Sequence, residues 1–167
     1  MDFSTLIHIR QSVRAYQPKP VPEEILQALL EAANRAPSAG NFQAFEIYVV
    51  RDPKQRQCLT AATFSQDFVQ QAPLSLVFCM HPARCEYQPA ELFAMQDTTI
   101  ACTFAMSKVT DLGLASCWIG AFSPEKLAQA LALPEHVTPV AVLAIGYAAE
   151  TPERTPRRNL EELVHTL

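Results

Sequence analysis

Ala90-Glu-Leu-Phe-Ala-Met-Gln-Asp-Thr-Thr-Ile-Ala-Cys-Thr-Phe-Ala-Met-Ser-Lys-Val-Thr-Asp111 reads as one long helix that Gly113 stops. Its apolar residues do not keep to a single stripe. Leu92, Phe93, Met95, Ile100, Phe104, Met106 and Val109 are spread around it, and it carries small residues at Ala94, Thr98, Thr99, Ala101, Cys102, Thr103 and Ala105. A helix apolar nearly all round must be covered on several sides. In a chain of 167 residues that means the centre of the fold, a contact between subunits, or both. A central core helix with no partner is the plainer alternative.

Outward from this helix, Leu74–Met80 reads as a buried strand before it and Ala115–Ile119 as a strand after it. Glu46–Val50 and Val140–Tyr147 are two more strands. Phe3–Ile9 is a short helix, and Pro18 and Pro20 keep residues 11–20 extended. Pro22 and two acidic residues open a strong helix at 23–33, which Pro37 terminates. Asp52-Pro53 caps a helix to Ala62, a short one covers 65–71, and Ser123-Pro124 opens another to about Leu133. An irregular tail ends in a short amphipathic turn at 160–165. Helices and strands do not alternate strictly, so the expected class is α+β, with helices around a mixed central sheet. No linker or repeat divides the chain, and residues 1–167 are expected to form one domain.

The composition is 49% hydrophobic and 18% charged, with net charge −4. Low charge suits a protein that hides surface in an oligomer or around a cofactor. Between Gln57 and Glu153 the only Lys or Arg residues are Arg84, Lys108 and Lys126. No basic stripe exists to displace counterions from nucleic acid, which argues against DNA and RNA partners. Residues 1–9 do not read as a signal peptide, and the long helix holds Glu91, Gln96, Asp97, Lys108 and Asp111, too polar for a bilayer. The five cysteines, Cys58, Cys79, Cys85, Cys102 and Cys117, are widely spaced and form no metal pattern. Free thiols and a cytoplasmic setting are expected.

Four short segments carry polar chemistry. In Arg10-Gln-Ser-Val-Arg14, an extended backbone turns Arg10, Ser12 and Arg14 to one side and Val13 to the other. Two guanidinium forks and a hydroxyl suit a phosphate or an electron-rich heterocycle edge. On spacing alone, a solvated basic turn explains the pattern better. Ala36-Pro-Ser-Ala-Gly-Asn-Phe-Gln43 offers short polar side chains and a glycine, either to a heterocycle or as a plain connection. Gly113-Leu-Ala-Ser-Cys-Trp-Ile-Gly120 ends in a glycine that lets backbone approach a ligand, or simply stops a strand. Arg157-Arg158 is a pair of cations that matters only if the tail folds back on a phosphate.

Taken in order, Ile9-Arg-Gln-Ser-Val-Arg14, Val21-Pro-Glu23, the 36–43 and 113–120 segments and Pro156-Arg157 resemble the nitroreductase family over essentially the whole chain. The resemblance implies an α+β homodimer with the long helix in the contact and FMN between subunits. It implies that Arg10, Gln11, Ser12 and Arg14 bind FMN from one subunit and Pro37, Ser38, Ala39 and Asn41 from the other. Ile119 and Gly120 would give backbone near flavin N5, and Arg157, rather than Arg158, would hold the phosphate. Gln11 stands where the family often has a second arginine, and Gln43-Ala44-Phe45 where it often has Gln-Pro-Trp.

The implied activity is ping-pong transfer from NADH or NADPH, through FMN, to a nitroaromatic, quinone or similar conjugated acceptor. No metal ligand is assigned, and no catalytic side chain. His8, His81, His136 and His165 are scattered and match no family motif. Three rivals stand beside this reading. They are a non-catalytic flavin-binding module, a dimeric scaffold without cofactor, and cysteine–histidine catalysis at Cys102 or Cys117, which apolar surroundings disfavour.

Overall fold

The computed structural model describes residues 1–167. Strands β1 (Phe45–Val50), β2 (Leu74–Met80), β3 (Ala115–Ile119) and β4 (Thr138–Gly146) form one sheet in the order β1-β2-β4-β3. Every ladder in it is antiparallel. The expected mixed sheet is therefore corrected to an antiparallel one within an α+β fold. β2 and β3 run the same way, but β4 is inserted between them and opposes both. The one parallel pairing is an isolated bridge, Ser12 to Ser116.

Six helices accompany the sheet: α1 (Phe3–Ile9), α2 (Glu23–Asn34), α3 (Pro53–Ala62), α4 (Phe68–Gln71), α5 (Ala90–Asp111) and α6 (Pro124–Leu131). Their ends follow local chemistry. The Asp52 carboxylate accepts the N–H groups of Lys54 and Gln55 at 2.9 and 3.0 Å, ahead of Pro53. Ser123 Oγ accepts the Lys126 N–H at 3.3 Å. Beyond α5, Gly113 takes φ +74, which a side chain would resist.

The central strands are buried on both faces. Leu74, Leu76 and Phe78 of β2 and Ala141, Leu143 and Ile145 of β4 pack with α2 and α5. Their alternates Val77, Cys79, Val142 and Ala144 pack with Leu59, Val69 and Leu127 on the other side. This double cover is why residues 74–79 are apolar almost without interruption.

Helix α5 sorts its residues by size. Ala94, Ala101, Cys102 and Ala105 have no exposed surface, whereas Leu92, Met95 and Phe104 remain 50%, 41% and 41% exposed. The small residues let the helix lie close to the sheet, and the large ones face away from it. The tail beyond Glu150 has only a 3-10 turn at Leu160–Glu162, and Leu160, Leu163 and Val164 are exposed there. No helix is long and apolar enough to cross a membrane.

Gly146 closes β4 under crowded conditions. A Cβ there would stand 2.7 Å from Pro73 Cδ and 3.0 Å from Tyr16 Cδ1. Gly146→Ala is expected to cost about 1–3 kcal/mol, because a packed ring must shift. Urea unfolding checks this; an unchanged midpoint would show that the rings move aside freely.

Candidate functional site

The 10–16 segment is stitched to the sheet rather than left in solvent. Ser12 bridges Ser116, the Val13 N–H donates to Ser116 O at 3.1 Å, and Tyr16 bridges Ala148. Val13 and Tyr16 are buried. The Tyr16 hydroxyl lies 2.7 Å from Val13 O and 3.1 Å from Ala144 O, and burial pushes its phenol far above the ordinary range. It stays a neutral donor that locks the segment in place.

With Val13 anchored inward, Arg10, Gln11, Ser12 and Arg14 line a cavity of about 420 Å³. Ile7 and His8 of α1 form one side. The tail folds back to form another, contributing Arg154 and Arg157. Three contacts fix the tail there. The Ala149 N–H donates to Ala15 O at 2.9 Å, the Arg14 N–H donates to the Glu150 carboxylate, and Arg154 Nη1 meets His8 Nε2 at 2.7 Å.

No ion pair of the chain includes Arg10, Arg14 or Arg157. With Arg154, which is in no ion pair either, four guanidinium groups border one cavity; Glu153 also lines it but lies within salt-bridge distance of none of them. Arg158 differs: its Nε reaches Glu162 Oε2 at 3.3 Å and its Nη2 donates to Glu162 O at 3.0 Å. Of the two tail arginines, Arg157 faces the cavity.

The Pro37–Gln43 segment lies elsewhere. Pro37, Ser38, Ala39 and Asn41 do not line that cavity, and neither do Ile119 and Gly120. Gly40, Asn41 and Gln43 take φ of +54, +60 and +50. Only glycine fits at 40, since a Cβ would stand 2.6 Å from Phe42 Cε2. Ser38 Oγ accepts the Gln43 N–H at 3.1 Å. The ends of the turn are held from α5. Asp97 Oδ1 accepts the Ala39 N–H at 2.9 Å, and Oδ2 accepts the Ala44 N–H at 3.3 Å. Asp97 is 1% exposed. Sequence reasoning missed this contact. No sequence signal marked it, since α5 also carries Glu91 and Asp111 and the partners of Asp97 are backbone N–H groups. Phe42 also meets Tyr87 edge-on at 5.1 Å, and Tyr87 meets Phe93 at 5.8 Å.

At the end of β3, the Ile119 side chain is buried while Gly120 is exposed, with Trp118 Nε1 3.8 Å from where a Cβ would stand. One copy of the chain thus holds a cationic cavity, a strained turn and an exposed backbone corner, with only the first enclosed.

The Nitroreductase family profile matches residues 7–86 and 57–147. Over 98% of this chain and 95% of its own length, a Thermus thermophilus protein named NADH dehydrogenase is 33% identical. A Bacillus subtilis FMN reductase [NAD(P)H] is 30% identical over 93% of this chain and 69% of its own. Among solved structures, a nitroreductase family protein from Clostridium difficile superposes with TM-score 0.89 at 30% identity, with both chains fully covered.

Burial makes Cys79, Cys102 and Cys117 poor nucleophiles. Burial pushes the Cys102 thiol well above its usual range and Cys79 to about 12. Burial also raises Cys117, against the opposing influence of Arg14, a Ser12 hydrogen bond and Arg10. Cys58 alone is exposed. An aromatic disulfide reagent is expected to titrate one thiol quickly and the other four only on unfolding. Rapid loss of two or more thiols from the native protein would contradict this.

Proposed function

We propose, since this chain belongs to the nitroreductase family, that it is an FMN-dependent NAD(P)H oxidoreductase whose residues 1–167 act as one FMN-binding domain. The observation that carries this reading is the gathering of Arg10, Arg14, Arg154 and Arg157 around one cavity, none of them ion-paired and with Glu153 the one carboxylate in the lining. Like charges so gathered repel one another, and a bound dianionic phosphate relieves the repulsion while taking charge-assisted hydrogen bonds. The cavity volume, about 420 Å³, lies in the range of small-ligand sites. The residues present therefore fit FMN.

We assign Arg157 to the phosphate and Arg10, Gln11, Ser12 and Arg14 to the flavin-binding segment, where a fixed cation favours negative charge at the pyrimidine edge. Ile119 and Gly120 offer backbone beside N5. The chemistry supplied by bound FMN is hydride transfer in ping-pong order, from NADH or NADPH to a nitroaromatic, quinone or similar conjugated acceptor. No side chain is assigned as acid or base; water protonates the product.

The site is completed by a second copy. Pro37, Ser38, Ala39 and Asn41 stand apart from the cationic cavity within one chain, which supports their serving the partner's site. Phe3, Ile7, Leu92, Met95 and Phe104 on α1 and α5 form an exposed apolar surface that a homodimer covers. An apolar hollow of about 560 Å³ between these helices is bordered by Arg10 and Arg157, next to the proposed cofactor. The unpaired cysteines fit a reducing, cytoplasmic setting.

Arg10→Ala is expected to weaken FMN binding by about 2 kcal/mol, or about 30-fold in Kd. Fluorescence titration of the apoprotein measures it, and unchanged affinity would remove the assignment. Dilution to monomer is expected to release the flavin; a monomer that keeps it would exclude the two-chain site. Steady-state NAD(P)H oxidation with a quinone separates the enzyme from a flavin-binding module that does not turn over.

A further inference from the structure

We infer that Asp97 is the positioning residue of this site, acting from α5 to fix the turn that presents Ser38 and Asn41 to the cofactor. The inference rests on the reading that the Pro37–Asn41 loop contacts FMN.

The turn's own bonds do not fix it to the rest of the fold. Two of its residues, Asn41 and Gln43, sit at positive φ without being glycine, each at a cost of about 1–2 kcal/mol. Its internal bonds are short-range: the Asn41 N–H donates to Ser38 O at 3.1 Å, the Phe42 N–H to Ala39 O at 2.9 Å, the Gln43 N–H to Ser38 Oγ at 3.1 Å and Gln43 Nε2 to Asn41 Oδ1 at 3.2 Å. The two oxygens of Asp97 tie residues 39 and 44, at the turn's two ends, to α5.

Asp97 is unusual in what it lacks. It is 1% exposed, yet no cation pairs with it. Its recorded hydrogen bonds are two backbone N–H groups, the second long at 3.3 Å. Burying a carboxylate this way is costly, and an apolar residue would serve a simple core better. A carboxylate is, however, the group that accepts at both oxygens. An asparagine in its place turns an N–H₂ toward one of the two backbone donors. The arrangement makes sense if the geometry of residues 39–44 matters more than the stability it forfeits. Because α5 packs small residues tightly against the sheet, Asp97 is also mounted on a rigid element.

Two substitutions, in the full-length protein reconstituted with FMN, test this. Asp97→Asn removes one acceptor. Ala39→Pro removes the N–H that Asp97 Oδ1 receives while leaving the carboxylate in place, and Ser38, at φ −140 and ψ 157, already has the extended backbone a following proline requires. Each variant is expected to weaken FMN about ten-fold, to alter the visible circular dichroism of bound flavin, and to speed amide exchange at 40–44. The double variant is expected to be little worse than either single one, since both break the same link. The dichroism band reports ring geometry, which a general loss of stability would leave alone. Should Asp97→Asn fail to fold, Ala39→Pro carries the same readouts. The inference is overturned if folded variants bind FMN with unchanged Kd and dichroism, or if the two effects multiply independently. Faster exchange with unchanged FMN affinity, while Arg10→Ala weakens binding, would overturn it and leave the cofactor reading intact. A wild-type protein that binds no FMN would overturn both.

Discussion

The close approach of α5 to the sheet is the constraint on which the rest of the molecule depends. It is possible because the residues that pack on β2 and β4 are Ala101, Cys102, Ala105 and Val109, small or β-branched and none with exposed surface. That choice has three effects. It seats α2 and α5 in one core with the inner residues of β2 and β4. It brings the carboxylate of Asp97 within reach of the 39–44 turn. Leu92, Met95 and Phe104 are left exposed on the sides of the helix turned away from that core. A bulkier residue at 101 or 105 would disturb core, turn and outer face together, since close-packed interiors transmit strain.

A second constraint governs the amino-terminal arginines. Arg10 and Arg14 belong to a segment with no helix or long ladder of its own. A parallel bridge to Ser116, the buried side chain of Val13 and the Tyr16 hydroxyl hold it. These contacts use backbone and neutral side chains, and neither guanidinium group is in an ion pair. The tail is bound more thinly, through Ala149, Glu150 and the Arg154–His8 contact, yet it brings Arg157 to the same cavity.

Much of this was legible in the sequence, for physical reasons. The limits of α5 coincide with the expected helix because Gly113 leaves only the left-handed exit. β2 and β3 match residue for residue, since apolar and β-branched runs between turn residues signal buried strands. The sense of the sheet was not legible. Whether β4 lies outside β3 or between β3 and β2 depends on how the chain crosses over, and no local pattern records it. Arg10, Gln11, Ser12, Arg14 and Arg157 share a cavity, but the separation of that cavity from Ser38 and Asn41 could not be read from spacing. Asp97 was invisible as a restraint because its partners are backbone N–H groups, which carry no sequence signature. The preference for Arg157 over Arg158 acquired a cause only from the path of the tail and the hold of Glu162 on Arg158.

Trp118 is the lone tryptophan of the chain, and it sits on β3 two residues before the open corner at Gly120, with its Nε1 3.8 Å from where a Cβ on that glycine would lie. The protein therefore carries its own optical reporter at the rim of the proposed flavin pocket. Indole emission overlaps isoalloxazine absorption, so occupancy dims the native fluorophore through resonance energy transfer. With one donor in each chain, the quenched fraction tracks the loading of that corner without an extrinsic dye or an engineered label.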